Sequence, residues 1–271
     1  MKKMLSVGLM LVMASCASNT KVAEKATPVF PKTVEEAVNS TFRVEENKKR
    51  DIYRHPVETL NFFGVAPEMT VVEIWPSGGW YTQILAPLLV TNGKYIIADP
   101  PADPNGYTTK RVEWLASHPE IGAKVEATQF LPPTHLDIAP ENSADMVLTF
   151  RNVHNWGSKK NQELAFAAFF KALKPGGTLG VVEHRAANTK KFDPKKGYVK
   201  ESEVLRMAKK AGFKLVEKSE INANPKDLKN YPKGVWTLPP TLAEGDKDRQ
   251  KYLEIGESDR MTLKFVKPAK K

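Results

Sequence analysis

A chain of 271 residues is long enough to bury one large core or two small ones. Its 41% apolar and 27% charged residues match ordinary globular usage and exclude wholesale disorder, and its single cysteine excludes a disulfide-stapled fold. The net charge of +10 comes largely from scattered lysines, such as Lys159-Lys160, Lys190-Lys191 and Lys209-Lys210. No basic helix interleaved with aromatics accompanies them, so the charge reads as a solvated surface suited to anionic lipid headgroups and not as a nucleic-acid groove.

Met1-Lys2-Lys3 is a short positive start, and Leu5–Met13 is an apolar stretch of signal-core length, too short to span a bilayer. Met13-Ala14-Ser15-Cys16 then resembles the lipobox of bacterial lipoproteins. The resemblance implies cleavage before Cys16, lipid on its thiol and new amino group, and an exported protein anchored to a bacterial membrane. Each buried methylene contributes ~0.8 kcal/mol, so several acyl chains hold a protein on a bilayer almost permanently. Ala17 is not an aspartate, which in a two-membrane organism implies the outer membrane, facing the periplasm. A plain secretory signal, or an uncleaved N-terminus on a cytoplasmic protein, are the competing readings. The expected organisation is a signal peptide over 1–15, a tether over 16–32 containing Pro28 and Pro31, and one domain over 33–271.

Thr33-Val34-Glu35-Glu36 has capping-box spacing and predicts a helix over 35–47; a second helical segment runs from Arg50-Asp51 to Phe63 and ends at Gly64, so residues 33–65 form an N-terminal helical segment. Residues 69–75 read as a buried strand, bounded by Pro67 and by Pro76-Ser77-Gly78-Gly79. A helix over 80–90 stops at Asn92-Gly93, and a second strand over 95–98 ends at Asp99. A helix over 107–117, a weak third strand over 121–128 and a fourth strand over 144–150 follow. After the loop 151–158 come a helix over 161–173, Lys174-Pro175-Gly176-Gly177 as its stop, and a fifth strand over 178–183. A helix over 201–211 closes at Gly212, with strands over 213–220 and 260–266 beyond it. Alternating strands and helices predict an α/β parallel sheet covered on both faces. The last two strands have no intervening helical pattern, which permits an antiparallel pair, with 222–257 as a long functional excursion.

Glu73-Ile74-Trp75-Pro76-Ser77-Gly78-Gly79, Asp99 and Leu173-Lys174-Pro175-Gly176-Gly177 together resemble class I S-adenosylmethionine-dependent methyltransferases over roughly residues 50–270. More narrowly, the Trp80-Tyr81 pair after the glycine turn is similar to the predicted exported methyltransferases with lipoprotein-type signals. Arg54-His55-Pro56, Phe62-Phe63-Gly64, Trp236–Pro240 and Ile255–Arg260 are similar to other blocks of that group. The resemblance implies a seven-stranded Rossmann-like methyltransferase sheet in the order 3-2-1-4-5-7-6, its last strand antiparallel. It also implies S-adenosylmethionine as cofactor, held by Glu73, Ser77, Gly78, Gly79, Asp99, Thr128 and Arg151. The common turn is acidic-x-Gly-x-Gly-x-Gly, and here Trp75 and Ser77 replace the first two glycines. Trp75 narrows the approach of backbone to ligand, Pro76 removes a donor, and Ser77 offers a hydroxyl instead.

Methyl transfer asks mainly for in-line positioning, and a general base is needed only where the acceptor loses a proton. The loop after the fourth strand supplies His154 as a candidate base, with Asn152, Asn155 and Trp156 as candidate acceptor-binding groups. Glu183-His184-Arg185 ends the neighbouring strand, placing His184 and Arg185 as further catalytic and acceptor-binding candidates. His135, Asp137, His154 and His184 match no metal-ligand spacing, so no metal is expected. Trp236 and Pro239-Pro240 are expected to fold the excursion over the sheet end as a cleft wall. Ser258 has no partners in any hydrolase order, and no nucleophile elbow is present. Two functions follow: a membrane-anchored methyltransferase acting on a small acceptor, or a non-catalytic ligand-binding lipoprotein on the same fold.

Overall fold

The structure, a computed structural model, describes residues 28–187 and 193–269. Cys16, the expected signal peptide and most of the expected tether lie outside the described residues. No described helix is long and apolar enough to cross a membrane.

Thr33 caps α1 (Val34–Asn39), its Oγ1 accepting the Glu36 N–H at 3.1 Å. The expected helix to residue 47 is interrupted: α1 stops at Asn39, and α2 (Glu45–Lys48) is a separate turn. The second helical segment also divides, into α3 (Asp51–Arg54) and α4 (Pro56–Phe63). Between them His55 sits at φ 41°, because a residue preceding proline is kept out of the right-handed helical region.

The sheet is built from β1 (Thr70–Ile74), β2 (Lys94–Asp99), β3 (Glu126–Gln129), β4 (Ala144–Phe150), β5 (Leu173–His184), β6 (Lys214–Ser219) and β7 (Arg260–Val266). Its order is β3-β2-β1-β4-β5-β7-β6, with β7 antiparallel to both neighbours and the first five strands parallel. This is the Rossmann-like methyltransferase topology. Residues 121–122, the start of the expected third strand, instead belong to a helical turn, α7 (Pro119–Gly122), after α6 (Thr109–Ser117). β3 is confined to four residues at the sheet edge, where little apolar surface is buried to announce it. Lys174-Pro175-Gly176-Gly177 lies inside the long β5 and not between helix and strand.

Alternation along the strands divides the core. Val72, Ile74, Val147, Leu179 and Val181 face Phe166 and Phe169 of α8 (Lys159–Ala172) and Val204 and Met207 of α9 (Glu201–Ala211). Val71, Met146, Leu148 and Val182 face Leu60 and Phe63 of α4 and Ile84 and Leu85 of α5 (Thr82–Leu89). Gly180 is what lets α4 dock closely: a Cβ there would lie 2.7 Å from Leu148 Cδ2 and 2.9 Å from Phe63. At the far edge, β6 is largely exposed and carries a register shift between Leu215 and Glu217. The excursion 222–257 is ordered, with a 3-10 turn over Gly234–Thr237 and α10 (Arg249–Ile255).

Candidate active site

A cavity of about 940 Å³ opens at the carboxyl ends of β1, β2, β4 and β5, the end at which open parallel sheets take ligands. β1 delivers Glu73, buried at its end, whose carboxylate accepts the Tyr95 hydroxyl. Burial raises that carboxyl to about 7, partly offset by Tyr95 and Arg111. The turn that follows runs left-handed at alternate residues: Trp75 at φ 46°, Ser77 at φ 49° and Gly79 at φ 81°. Two non-glycine residues therefore hold left-handed backbone that glycine adopts more readily. Trp75 Nε1 donates to the Phe130 carbonyl at 2.8 Å, and its ring packs edge-on against Phe130 and Trp156. Its indole is thereby anchored to the loop beyond β3 while still bordering the cavity.

Of the turn, Pro76 and Ser77 line the cavity, whereas Gly78 and Gly79 do not. Gly79 serves packing: a Cβ there would sit 2.7 Å from Arg111 Cγ. That close approach brings the Arg111 guanidinium onto Asp99, which lines the cavity at the end of β2. The carboxylate expected to hold the cofactor thus already has a bidentate partner. Burial raises the Asp99 carboxyl even against Arg111.

Two strands along, Asn152 Nδ2 donates to the Ile74 carbonyl at 2.7 Å, tying the end of β4 to the end of β1. Glu183 is fully buried and organises both histidines. Its Oε2 accepts the Val153 N–H at 2.6 Å, and its Oε1 accepts the His184 N–H at 2.7 Å. His154 Nδ1 lies 3.0 Å from the same Oε1, so its ring N–H donates there and Nε2 is left as an acceptor. The His154 and His184 rings are 5.3 Å apart at one wall of the cavity, and Trp236 stands edge-on to His154 at 5.9 Å. His184 Nδ1 is paired with the Ser258 hydroxyl. Burial, reinforced by the neighbouring His154 and Arg151, drives His184 well below the ordinary imidazole range, so it is neutral at neutral pH. His154, Glu183 and His184 offer donor atoms within 4.8 Å of one another, but both Glu183 oxygens already accept N–H groups. His135 and Asp137 stand apart, paired with Thr134 and Lys171.

Several expected site residues are elsewhere. Thr128 Oγ1 donates to the Ile138 carbonyl at 2.9 Å and does not line the cavity. Trp156 is not an acceptor wall but core, buried against Phe130, Phe166 and Phe169. Arg185 is bound to Asp259 and Glu220, outside the cavity. Asn155 and Arg151 do line it, Arg151 with its backbone at φ 61°. Trp236, Pro239 and Pro240 form the cleft wall supplied by the excursion.

Sequence reasoning missed a charged group at the cavity's inner end. Arg50, Arg54 and Glu257 all line it. Glu257 accepts Arg50 Nε at 2.6 Å and Arg260 Nη2 at 3.0 Å, with Arg54 Nε 3.6 Å away. Burial opposes its ionisation, yet Arg54, Arg260 and Arg50 together hold it at about 2. Arg54 and Glu257 fall within stretches singled out by resemblance, but nothing in the sequence pairs residues this far apart.

No protein-family model and no curated protein matches the chain. Solved structures do. A SAM-dependent methyltransferase from Aquifex aeolicus aligns at TM-score 0.54 and 16% identity, covering 82% of this chain and 97% of that one. Phosphoethanolamine N-methyltransferase 2 of Haemonchus contortus, in complex with S-adenosyl-L-methionine, aligns at TM-score 0.53 and 15% identity over 87% of this chain and 56% of that one. The [4+2]-cyclase SpnF aligns at TM-score 0.52 and 15% identity over 83% and 81%. At these identities the shared property is the fold.

Proposed function

We propose that the chain is an S-adenosylmethionine-dependent methyltransferase acting on a small acceptor. The observation that carries this reading is the turn after β1. Trp75 and Ser77 occupy left-handed backbone that costs of order 1–3 kcal/mol each for residues with a Cβ. Glycine would avoid that cost, so the fold holds a glycine-type turn against its local strain, beside an acidic residue at the end of β2. Ser77 and Asp99 would hold the cofactor, with Glu73 behind the turn; Gly78, Gly79 and Thr128 support the scaffold. The cofactor, when bound, supplies an activated methyl group.

The chain's own part is positioning. Asn152 fixes the spacing of β1 and β4, and Trp236 walls the acceptor side from water. His154, oriented by Glu183, presents Nε2 as a proton acceptor; His184 is neutral and held by Ser258. Isothermal titration with S-adenosylmethionine tests the reading. Wild type should bind, and Asp99→Ala should weaken binding by about tenfold or more through the loss of charge-assisted bonds.

A non-catalytic binding protein on this fold is the second reading, favoured by the Asp99–Arg111 pair and by Trp75 at a glycine position. A wild-type chain that fails to bind S-adenosylmethionine would leave that reading standing. For localisation, we propose that Cys16 carries lipid and anchors an exported protein. Cys16→Ser should release the protein from membranes or block its processing; an unchanged membrane fraction and mass would refute this.

A further inference from the structure

We propose that the inner end of the cavity binds the anionic oxygen group of its small-molecule ligand, so that the acceptor is a small organic acid. This deepens the methyltransferase reading and rests on it for calling the ligand an acceptor. The cavity lining carries a charge imbalance. Arg50, Arg54 and Arg260 share one carboxylate, that of Glu257, and Arg151 borders the same cavity as a fourth cation. The other acids bordering the cavity are committed: Glu73 to the Tyr95 hydroxyl, Asp99 to Arg111, and Asp103 to the backbone N–H groups of Tyr107 and Thr108.

Arg54 is the telling residue. It is 3% exposed, it lines the cavity, and its Nε and Nη1 have no hydrogen-bond acceptor among the described residues. A buried guanidinium with unmet donors is costly unless a ligand completes it. Trp80 carries part of that burden, its ring lying 4.6 Å from the Arg54 guanidinium carbon, but a ring face accepts no N–H in the guanidinium plane. Arg151 also borders the cavity, and its side chain makes no hydrogen bond or ion pair among the described residues. Its position is enforced, since a left-handed backbone with the N–H bound to the Val182 carbonyl at 2.7 Å sets the direction of the side chain. Two guanidinium groups facing one cavity, one with two orphaned donors and the other without a hydrogen bond among the described residues, match the planar oxygens of a carboxylate or phosphate. Tyr81 and Phe150, stacked at 3.7 Å, and Trp236 give the ligand's body an apolar surface. His154 and His184 stand on the same lining, within reach of the ligand's reacting end.

The test is titration of the full chain at neutral pH and low salt with benzoate, phenyl phosphate, benzamide and benzylamine, alongside S-adenosylmethionine. Either anion should bind about tenfold or more tightly than benzamide, and benzylamine should not bind. Whichever anion is tighter identifies the headgroup as carboxylate or phosphate. Arg151→Gln should abolish the preference for anions and leave benzamide affinity unchanged. Arg54→Gln, which removes a group packed against Glu257, serves as a second variant if it folds, with the same expectation. Equal affinity for benzoate, phenyl phosphate and benzamide, or an undiminished preference in Arg151→Gln, would overturn the proposal. Binding of S-adenosylmethionine without any anion preference would sink it alone. Anion preference without S-adenosylmethionine binding would sink the methyltransferase reading and leave the anion site intact.

Discussion

Replacing Glu73 by Gln probes the cost of placing an acid at the end of β1. Glu73 is 2% exposed, and burial lifts its carboxyl from 4.5 to about 7. Between those values the folded chain retains a proton that the unfolded chain has released, so stability from this group is full below 4.5 and is lost as pH rises through 7. At about 1.36 kcal/mol per pH unit, the gap corresponds to about 3.4 kcal/mol by alkaline pH. About 1.4 kcal/mol of that is lost by about pH 5.5 and nearly all by about pH 8.5. Glutamine keeps an oxygen for the Tyr95 hydroxyl and removes the titration. The stability of Glu73→Gln relative to wild type should therefore improve by about 2 kcal/mol between about pH 5.5 and 8.5. Urea unfolding of both proteins across this range, at matched m-values, measures it; all other titrating groups cancel in the difference. Parallel pH profiles for the two proteins would refute the reasoning.

Gly79→Ala places a Cβ 2.7 Å from Arg111 Cγ at φ 81°, so it should cost about 1–3 kcal/mol and loosen Arg111 from Asp99; a melting temperature equal to wild type would contradict this. His184 is held well below its ordinary value of 6.5, so wild type should lose stability as pH falls through 6.5, where the unfolded imidazole takes up a proton. His184→Gln should flatten that acid limb, and an unchanged limb would assign it to other groups. Arg185→Met breaks the pairs with Asp259 and Glu220 and should lower stability while leaving ligand affinities unchanged; a selective loss of affinity would return Arg185 to the site.

All seven strands leave a trace in the sequence, including the largely exposed β6, and the traces are sharpest where both faces are buried. β1, β2, β4 and β5 are runs of apolar residues closed by turn residues, and their ends place Asn152, His154, His184 and Asp99 at one cavity by topology alone. β3 is legible only as a weak pattern set toward its N-terminal side, over 121–128, because its four residues are exposed or half-buried and carry little burial signal. The division of the second helix was encoded by Pro56, which restricts His55. What the sequence could not reveal is partnership. Arg111 lies one helix beyond Asp99, and only the close contact at Gly79 brings their charges together. Arg50 and Glu257 are 207 residues apart, and no local pattern foretells that the loop before β7 returns to the N-terminal helices. Trp156 and Arg185 were placed by proximity in sequence to the site, yet each turns its side chain elsewhere, one into the core and one into surface charges.

The two free margins of the sheet govern how copies behave when crowded. On β6, Leu215 and Val216 are 42% and 53% exposed, apolar enough to tempt a neighbouring chain into pairing. The register shift at that point interrupts the row of regularly spaced donors and acceptors that an added strand would need, and Lys214, Glu217 and Lys218 put charge along it. The opposite margin, β3, offers only four residues, beginning with an exposed glutamate. Neither margin templates growth, so high local density leaves each sheet closed to its neighbours.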